Sequence, residues 1–273
     1  MNILSIQWSP IWQDNQANLR LLQENFEANL NSSLQTSPKK TSLKIDLVIL
    51  PELFHGGFSM QPERFAESID GEVSQILAGL AIKYSVAIVA GVAQKQVRTT
   101  CHGQETKFYN RALVFDSNGQ QIGAYTKQKL FSYAHEQQTY SEGHQPVIVD
   151  IKGQPFAVLI CYDLRFPELF RQVAKQVKGI IVIANWPASR QTHWEALLKA
   201  RAIENQCFMV GVNRIGQDGN GLDYIGGSMV VSPLGEVIAY GGEMDKTMTA
   251  SIDISQTNLV RQQFPFLDDM TIE

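Results

Sequence analysis

The chain has 273 residues, 44% of them hydrophobic and 18% charged, with 23 Lys and Arg against 27 Asp and Glu and a formal net charge of −4. A chain of this length buries about three-quarters of its unfolded surface, so it holds a core without staples and reads as one domain over residues 1–273. The acidic balance excludes a nucleic-acid binder driven by bulk charge, and three cysteines without close pairing are no disulfide framework, which points to a reducing cytoplasm.

The first apolar run, Asn2–Gln7, reads as a strand. No basic stretch and apolar block mark a leader there, and no later stretch reaches the about 18 apolar residues of a membrane span. Asn15–Asn31 then places Leu19, Leu22, Phe26 and Leu30 at helical steps, with Asp14 as its cap. Ser32–Leu43 reads as a surface loop. Further strands are expected at Asp46–Leu50, Val86–Val92, Ala112–Phe115, Pro155–Cys161, Gly179–Ala184, Cys207–Asn213 and Met229–Ser232, and several are apolar without alternation, as strands covered on both faces are. Helices are expected at Glu72–Tyr84, from Pro167 onward, and at Trp194–Asn205. Strand and helix alternate, which gives the α/β class.

Two segments align without gaps: Ala112–Ile122 and Ser228–Ile238, each a strand, a turn ending in Gly119 or Gly235, and a second strand. Hairpins inside a βα pattern imply mixed sheets. Coincidence and a shared architecture explain the likeness equally well at this level. The tail from Ile254 to Glu273 carries Phe264, Pro265 and Phe266 as apolar anchors for the parent domain or for a partner subunit.

The chemistry shows where polar residues end apolar runs. Val48-Ile49-Leu50-Pro51 ends in Glu52, the strand from Ile122 leads to Lys127, Phe156–Ile160 ends in Cys161, and Ile180–Ala184 ends in Asn185. Ligands of α/β sheets bind at the carboxyl ends of strands. A thiol needs a base or a nearby cation to attack. The histidines, His55, His102, His135, His144 and His193, lie in turns, polar loops or at a helix start and read as solvated residues; Glu52 and Lys127, at strand ends, are the candidates for base and cation. Each residue has an ordinary alternative: Glu52 as a surface or capping acid, Lys127 beside Lys129 as a solvated hairpin edge, Cys161 as an inert core thiol. Cys101, in a polar loop, and Cys207, in a strand, read as structural or incidental. No Cys-x-x-Cys, His-Glu-x-x-His or phosphate-loop pattern indicates a metal or nucleotide, and Gly216–Gly221 lacks a strand-to-helix context, so no cofactor is expected.

Leu50-Pro51-Glu52-Leu53-Phe54, Tyr125–Phe131 and Ile160-Cys161-Tyr162-Asp163-Leu164-Arg165-Phe166-Pro167-Glu168 resemble, in order, the three signature motifs of the nitrilase (carbon–nitrogen hydrolase) superfamily. Asn185-Trp186-Pro187, His193-Trp194 and Ala200–Asn205 resemble the stretch that follows the family's cysteine. The resemblance implies a four-layer α-β-β-α sandwich with two mixed sheets, and subunits that pair into a homodimer, with the tail 254–273 a candidate interface element. It also implies a Glu52, Lys127, Cys161 site, with Glu136 as a supporting acid (Glu142 lies close by) and the backbone N–H of Tyr162 as an oxyanion donor.

Within the superfamily the pattern is most similar to the ω-amidase branch. That implies a small-molecule amide substrate, the terminal amide of 2-oxoglutaramate or 2-oxosuccinamate, hydrolysed through a thioester to the acid and ammonia. Other branches, acting on deaminated glutathione or N-carbamoyl amides, and a catalytically silent interaction protein are the alternatives. Arg165, Trp186 and Phe131 are the candidate substrate contacts, with Arg190 nearby; for Arg165 an ion pair with Asp163 or Glu168 is the favoured reading. Gln128 and Phe58-Ser59 depart from the family's usual residues, which bears on the pocket rather than on the catalytic groups. Neither nucleic acid nor membrane is an expected partner.

Overall fold

The structure is a computed structural model that describes residues 1–31, 43–100, 103–243 and 245–270. The loop expected at Ser32–Leu43, save Leu43 itself, lies outside the described residues, as do Cys101 and His102. The chain begins with β1 (Asn2–Ile6), α1 (Asn15–Leu30), β2 (Leu47–Ile49), α2 (Glu72–Tyr84), β3 (Ala87–Thr100), β4 (Gly103–Phe115) and β5 (Gln121–Thr126). After β6 (Ile148–Ile151) come β7 (Gln154–Ile160), α3 (Pro167–Val173), β8 (Gly179–Ala184), α4 (Gln191–Asn205) and β9 (Phe208–Asn213). A small hairpin of β10 (Ile215–Gln217) and β11 (Asp223–Ile225) precedes β12 (Met229–Val231), β13 (Val237–Tyr240), β14 (Thr247–Ser251) and α5 (Ser255–Gln263).

Two six-stranded sheets result, ordered β14-β1-β2-β3-β4-β5 and β13-β12-β9-β8-β7-β6. In the first, β1, β2 and β3 are parallel and β4, β5 and β14 run against their neighbours. In the second, β7, β8 and β9 are parallel, with β12, β13 and β6 antiparallel. The two halves therefore repeat one plan, and each contributes its last strand to the other's sheet: β6 follows β5 but pairs with β7, and β14 follows β13 but pairs with β1. The two similar hairpins of the sequence occupy equivalent places at one edge of each sheet, and Gly119 (φ 77°) and Gly235 (φ 86°) supply the left-handed turn residue in both. Architecture, not coincidence, explains their likeness.

The layers follow from the two-residue period of a strand. Ile3 faces the second sheet, while Leu4 and Ile6 face Leu19, Leu22 and Phe26 of α1 and Val73, Leu77 and Leu80 of α2. The second sheet buries its other face under Leu169, Phe170 and Val173 of α3 and Trp194, Leu198 and Ala202 of α4. The order is helices, sheet, sheet, helices. Asp14 caps α1 as expected, accepting the Ala17 N–H at 2.9 Å.

Differences from the sequence reading have simple causes. β3 and β4 run far beyond the apolar segments expected for them, paired from Ile88↔Phe115 out to Thr100↔Gly103. That outer ribbon is largely polar and exposed, so hydrophobicity gives no sign of it. α4 begins three residues early, before its first buried side chain. Of the tail's anchors, Phe264 is half-buried and Phe266 is 65% exposed; the residue that docks is Leu267.

Candidate active site

Glu52 stands at the end of β2, on a loop that turns sharply because Leu53 adopts a left-handed φ of 47°. The loop lies directly on β3. A Cβ at Gly91 would meet the Glu52 Cα at 2.4 Å and the Pro51 carbonyl oxygen at 2.6 Å, so only glycine admits this approach. The Phe54 N–H donates to the Gly91 carbonyl at 3.0 Å and fixes the loop's height above the strand. His55 anchors its far side: its Nε2 accepts the Ala93 N–H at 2.9 Å and its Nδ1 faces Asn15 Oδ1 at 3.0 Å, so the proton sits on Nδ1. The ring is fully buried, and burial lowers its pKa to about 3. The solvated loop histidine expected here is instead a neutral structural bracket.

Lys127 follows β5 and is fully buried, which disposes of the hairpin-edge reading. Its Nζ donates to Glu52 Oε1 at 2.8 Å and to Glu136 Oε2 and Oε1 at 2.9 and 3.1 Å. Burial works against the ammonium, but the Glu136 and Glu52 carboxylates, with Cys161, outweigh it and hold Lys127 well above its ordinary pKa. Glu136 sits in a short 3-10 turn and also accepts the Phe131 N–H at 2.7 Å, whereas Glu142 is exposed. Asn110, from β4, bridges the two acids: its Nδ2 donates to Glu52 Oε1 at 2.7 Å and to Glu136 Oε1 at 3.0 Å.

Cys161 is the first residue beyond β7 and holds a left-handed φ of 46° at the start of the 3-10 turn Cys161–Arg165. The Sγ–H donates to the Asn185 carbonyl at 3.7 Å. Burial and the nearby Glu52 charge push the thiol well above its ordinary pKa, with Lys127 opposing. A thiol so held favours its protonated form, and any attack by this sulfur would need a base to take the proton. Asp163 stiffens the turn by accepting the Ile160 N–H at 2.9 Å, the Tyr125 hydroxyl at 2.8 Å and the Lys129 N–H at 2.8 Å. Cys207, by contrast, is buried just ahead of β9, with its pKa pushed up to about 12.

Cys161 opens on a cavity of about 500 Å³. Phe131, Tyr162 and Trp186 line it, and so do Asn220, Leu222 and Tyr224 of the β10–β11 hairpin. Arg165 and Arg190 also line it, stacked on the Trp186 and Phe131 rings at 4.8 and 5.5 Å. The ion pair favoured for Arg165 with Asp163 or Glu168 does not form, because Asp163 is already filled by three other donors and Arg165 turns towards His193 at 3.2 Å. Among the described residues neither pocket arginine pairs with a carboxylate. No group of three or more His, Cys, Asp or Glu side chains among them could hold a metal ion.

The structure thus brings Glu52, Lys127, Glu136 and Cys161 into one cluster, with Tyr162 next in chain and Arg165, Trp186 and Phe131 around the cavity. Sequence reading missed Asn110, Asp163 and the β10–β11 wall. Asn110 lies in β4 beside Phe108, Tyr109 and Arg111, where no local pattern marks it, and Gly216–Gly221, expected as a polar loop, is one and forms most of the tip of that wall. Residues 4–262 match the carbon-nitrogen hydrolase model. The chain belongs to the carbon–nitrogen hydrolase family.

This carbon–nitrogen hydrolase is 34% identical over 270 residues to the omega-amidase YafV of Escherichia coli K12, covering 98% of this chain and 96% of that one. To the 2-oxoglutaramate amidase of Bacillus subtilis it is 34% identical over 234 residues, covering 85% and 87%. Among solved structures it superposes with a TM-score of 0.86, at 32% identity and covering 100% and 98%, on XC1258 of Xanthomonas campestris, a CN-hydrolase superfamily protein with an arsenic adduct in its active site. It shares with these neighbours the α/β fold of two large mixed sheets.

Proposed function

We propose that this hydrolase is a cysteine-dependent ω-amidase that cleaves the terminal amide of a small ω-amido acid such as 2-oxoglutaramate or 2-oxosuccinamate. The observation that carries this reading is the fully buried ammonium of Lys127, clasped by Glu52 and Glu136 beside a pocket thiol. Two relatives named for ω-amide chemistry support it. The pocket adds the complement an acid substrate needs: Arg165 and Arg190, guanidiniums with no carboxylate partner among the described residues, would receive the substrate's carboxylate.

In this mechanism Glu52 takes the proton of Cys161 as the sulfur attacks the amide carbon. The oxyanion is held by the Lys127 ammonium and by the Tyr162 N–H, which stands at the start of a 3-10 turn where backbone donors have no partner within the helix. One such donor is worth about 10²–10³ in rate. Glu52 returns its proton to the departing ammonia, leaving a thioester. It then draws a proton from water, whose hydroxyl releases the acid and restores the thiol.

Glu136 keeps Lys127 in place. The same reading makes the enzyme a cytoplasmic homodimer with no membrane or nucleic-acid partner. An ammonia-release panel of 2-oxoglutaramate, succinamate, deaminated glutathione, an N-carbamoyl amino acid and a simple nitrile tests the substrate. Preference for the short ω-amides is the expected result, and preference for another member rejects the narrow assignment. Cys161→Ala is expected to abolish ammonia release with the fold intact, and unchanged turnover would reject the chemistry itself.

A further inference from the structure

A carboxylate offers about four lone-pair positions, and Glu52 has all of its own occupied. Oε1 takes Lys127 Nζ at 2.8 Å and Asn110 Nδ2 at 2.7 Å; Oε2 takes the Asn185 backbone N–H at 2.8 Å and Asn185 Nδ2 at 3.3 Å. The thiol, meanwhile, donates to the Asn185 carbonyl rather than to Glu52. A base so arranged cannot accept a proton until one of its bonds gives way.

The four bonds are not equal. Those on Oε1 come from groups that also hold Glu136, so loosening either disturbs two buried acids. On Oε2 the longest contact belongs to the Asn185 carboxamide. That same Nδ2 also donates to the Glu52 backbone carbonyl at 2.7 Å, so it keeps a partner when the 3.3 Å contact opens. Its Oδ1 is buried without a partner, so the carboxamide gives up no acceptor bond in shifting.

We propose that Asn185 is a positioning residue that makes Oε2 the proton-accepting oxygen of Glu52 and controls when it is open. The Asn185 carbonyl holds the thiol proton at rest. When the carboxamide moves, the S–H turns from that carbonyl to Oε2. The S–H bond breaks and an O–H bond forms at Oε2, while the sulfur electron pair goes to the amide carbon and the carbonyl pair to its oxygen. This rests on the Glu52–Cys161 chemistry proposed above and adds to it a defined oxygen and a gate.

The test is Asn185→Ala, with Asn185→Ser as the second variant should the first fail to fold. The readout is the pH profile of kcat/KM, on whichever amide the wild-type protein hydrolyses. The expected result is a kcat about 10-fold to 100-fold lower with KM within about 3-fold, as for loss of orientation rather than of binding. Losing a hydrogen bond to the charged form favours the protonated carboxylic acid, so the acid limb of this profile moves to higher pH by about half a unit or more. An acid limb that stays in place overturns the proposal, whatever happens to kcat, because a merely structural Asn185 would lower activity without moving it. Failure of the underlying chemistry would show separately, as full activity in Cys161→Ala.

Discussion

Two buried groups flanking the site titrate in opposite senses, and removing them one at a time is expected to tilt acid stability in opposite directions. His55, wedged against the Phe54 and Phe65 rings at 5.6 and 5.4 Å, is lowered by burial from 6.5 to about 3. Asp163 is raised by burial from 3.8 to about 6, against the pull of its hydrogen bonds and of Lys127. For His55 the unfolded chain takes a proton near pH 6.5 that the folded protein refuses until about pH 3, so stability is lost as pH falls through that window. For Asp163 the folded protein binds its proton first, so stability is present below pH 3.8 and lost as pH rises through about 6. At about 1.36 kcal/mol per unit, going from about pH 7.5 to about pH 4.5 costs about 3 kcal/mol through His55 and returns about 2 kcal/mol through Asp163. The two nearly offset one another in the wild type. Urea unfolding at fixed protein concentration should therefore show His55→Gln gaining about 3 kcal/mol on the wild type across that interval, and Asp163→Asn losing about 2 kcal/mol. Curves for both variants that run parallel to the wild type would refute the burial argument for the pair.

Gly91→Ala drives a methyl into the backbone under Glu52 and is expected to lower kcat about 10²-fold while the circular dichroism stays native; normal turnover would mean that β3 does not set the position of Glu52. Lys127→Met leaves two buried carboxylates with no cation and should cost about 3–5 kcal/mol in urea unfolding, more than Glu136→Gln, which leaves the Lys127–Glu52 pair matched. An unchanged midpoint for Lys127→Met would sink that reading. Peptide-mapped alkylation should leave Cys207 unmodified in the folded protein and modify Cys161 more slowly near neutral pH than free cysteine, accelerating as pH rises. Rapid, pH-independent labelling of Cys161 would indicate a preformed thiolate and contradict the burial that keeps it protonated.

The strands that carry Glu52, Cys161 and Asn185 were legible because each is a short apolar run ended by one polar residue at the sheet's carboxyl edge, and burial on both faces leaves no other pattern for such runs. Helices α1 and α2 declared themselves through one apolar stripe each. The polar supports were not legible by the same means. Asn110 and Asp163 act across 58 and 38 positions of sequence, on Glu52 and Tyr125, and nothing local marks a polar side chain whose partner arrives from another strand. His55 escapes the pattern for a related reason: a histidine among glycines looks exposed until its neighbours, Phe54 and Phe65, fold over it. For Arg165, proximity in sequence to Asp163 suggests a pair, whereas the 3-10 turn points the carboxylate inward and the guanidinium at the pocket.

In the proposed mechanism the charges in the cluster account for two glutamates where one base would do the proton transfer. At rest Glu52, Glu136 and Lys127 sum to one negative charge beside a neutral thiol. Forming a thiolate by losing a proton to solvent would bring a second negative charge into a buried space, which desolvation opposes. Passing the proton to Glu52 keeps the sum at one: the acid becomes neutral as the charge appears on the oxyanion. At that instant Glu52 no longer supports the Lys127 ammonium, and a buried cation without a partner is itself costly. Glu136, with both oxygens within 3.1 Å of Nζ, supplies the missing partner. In this mechanism Lys127 thus stays charged where the oxyanion requires it, and the second carboxylate is the group that lets the first one change its protonation state.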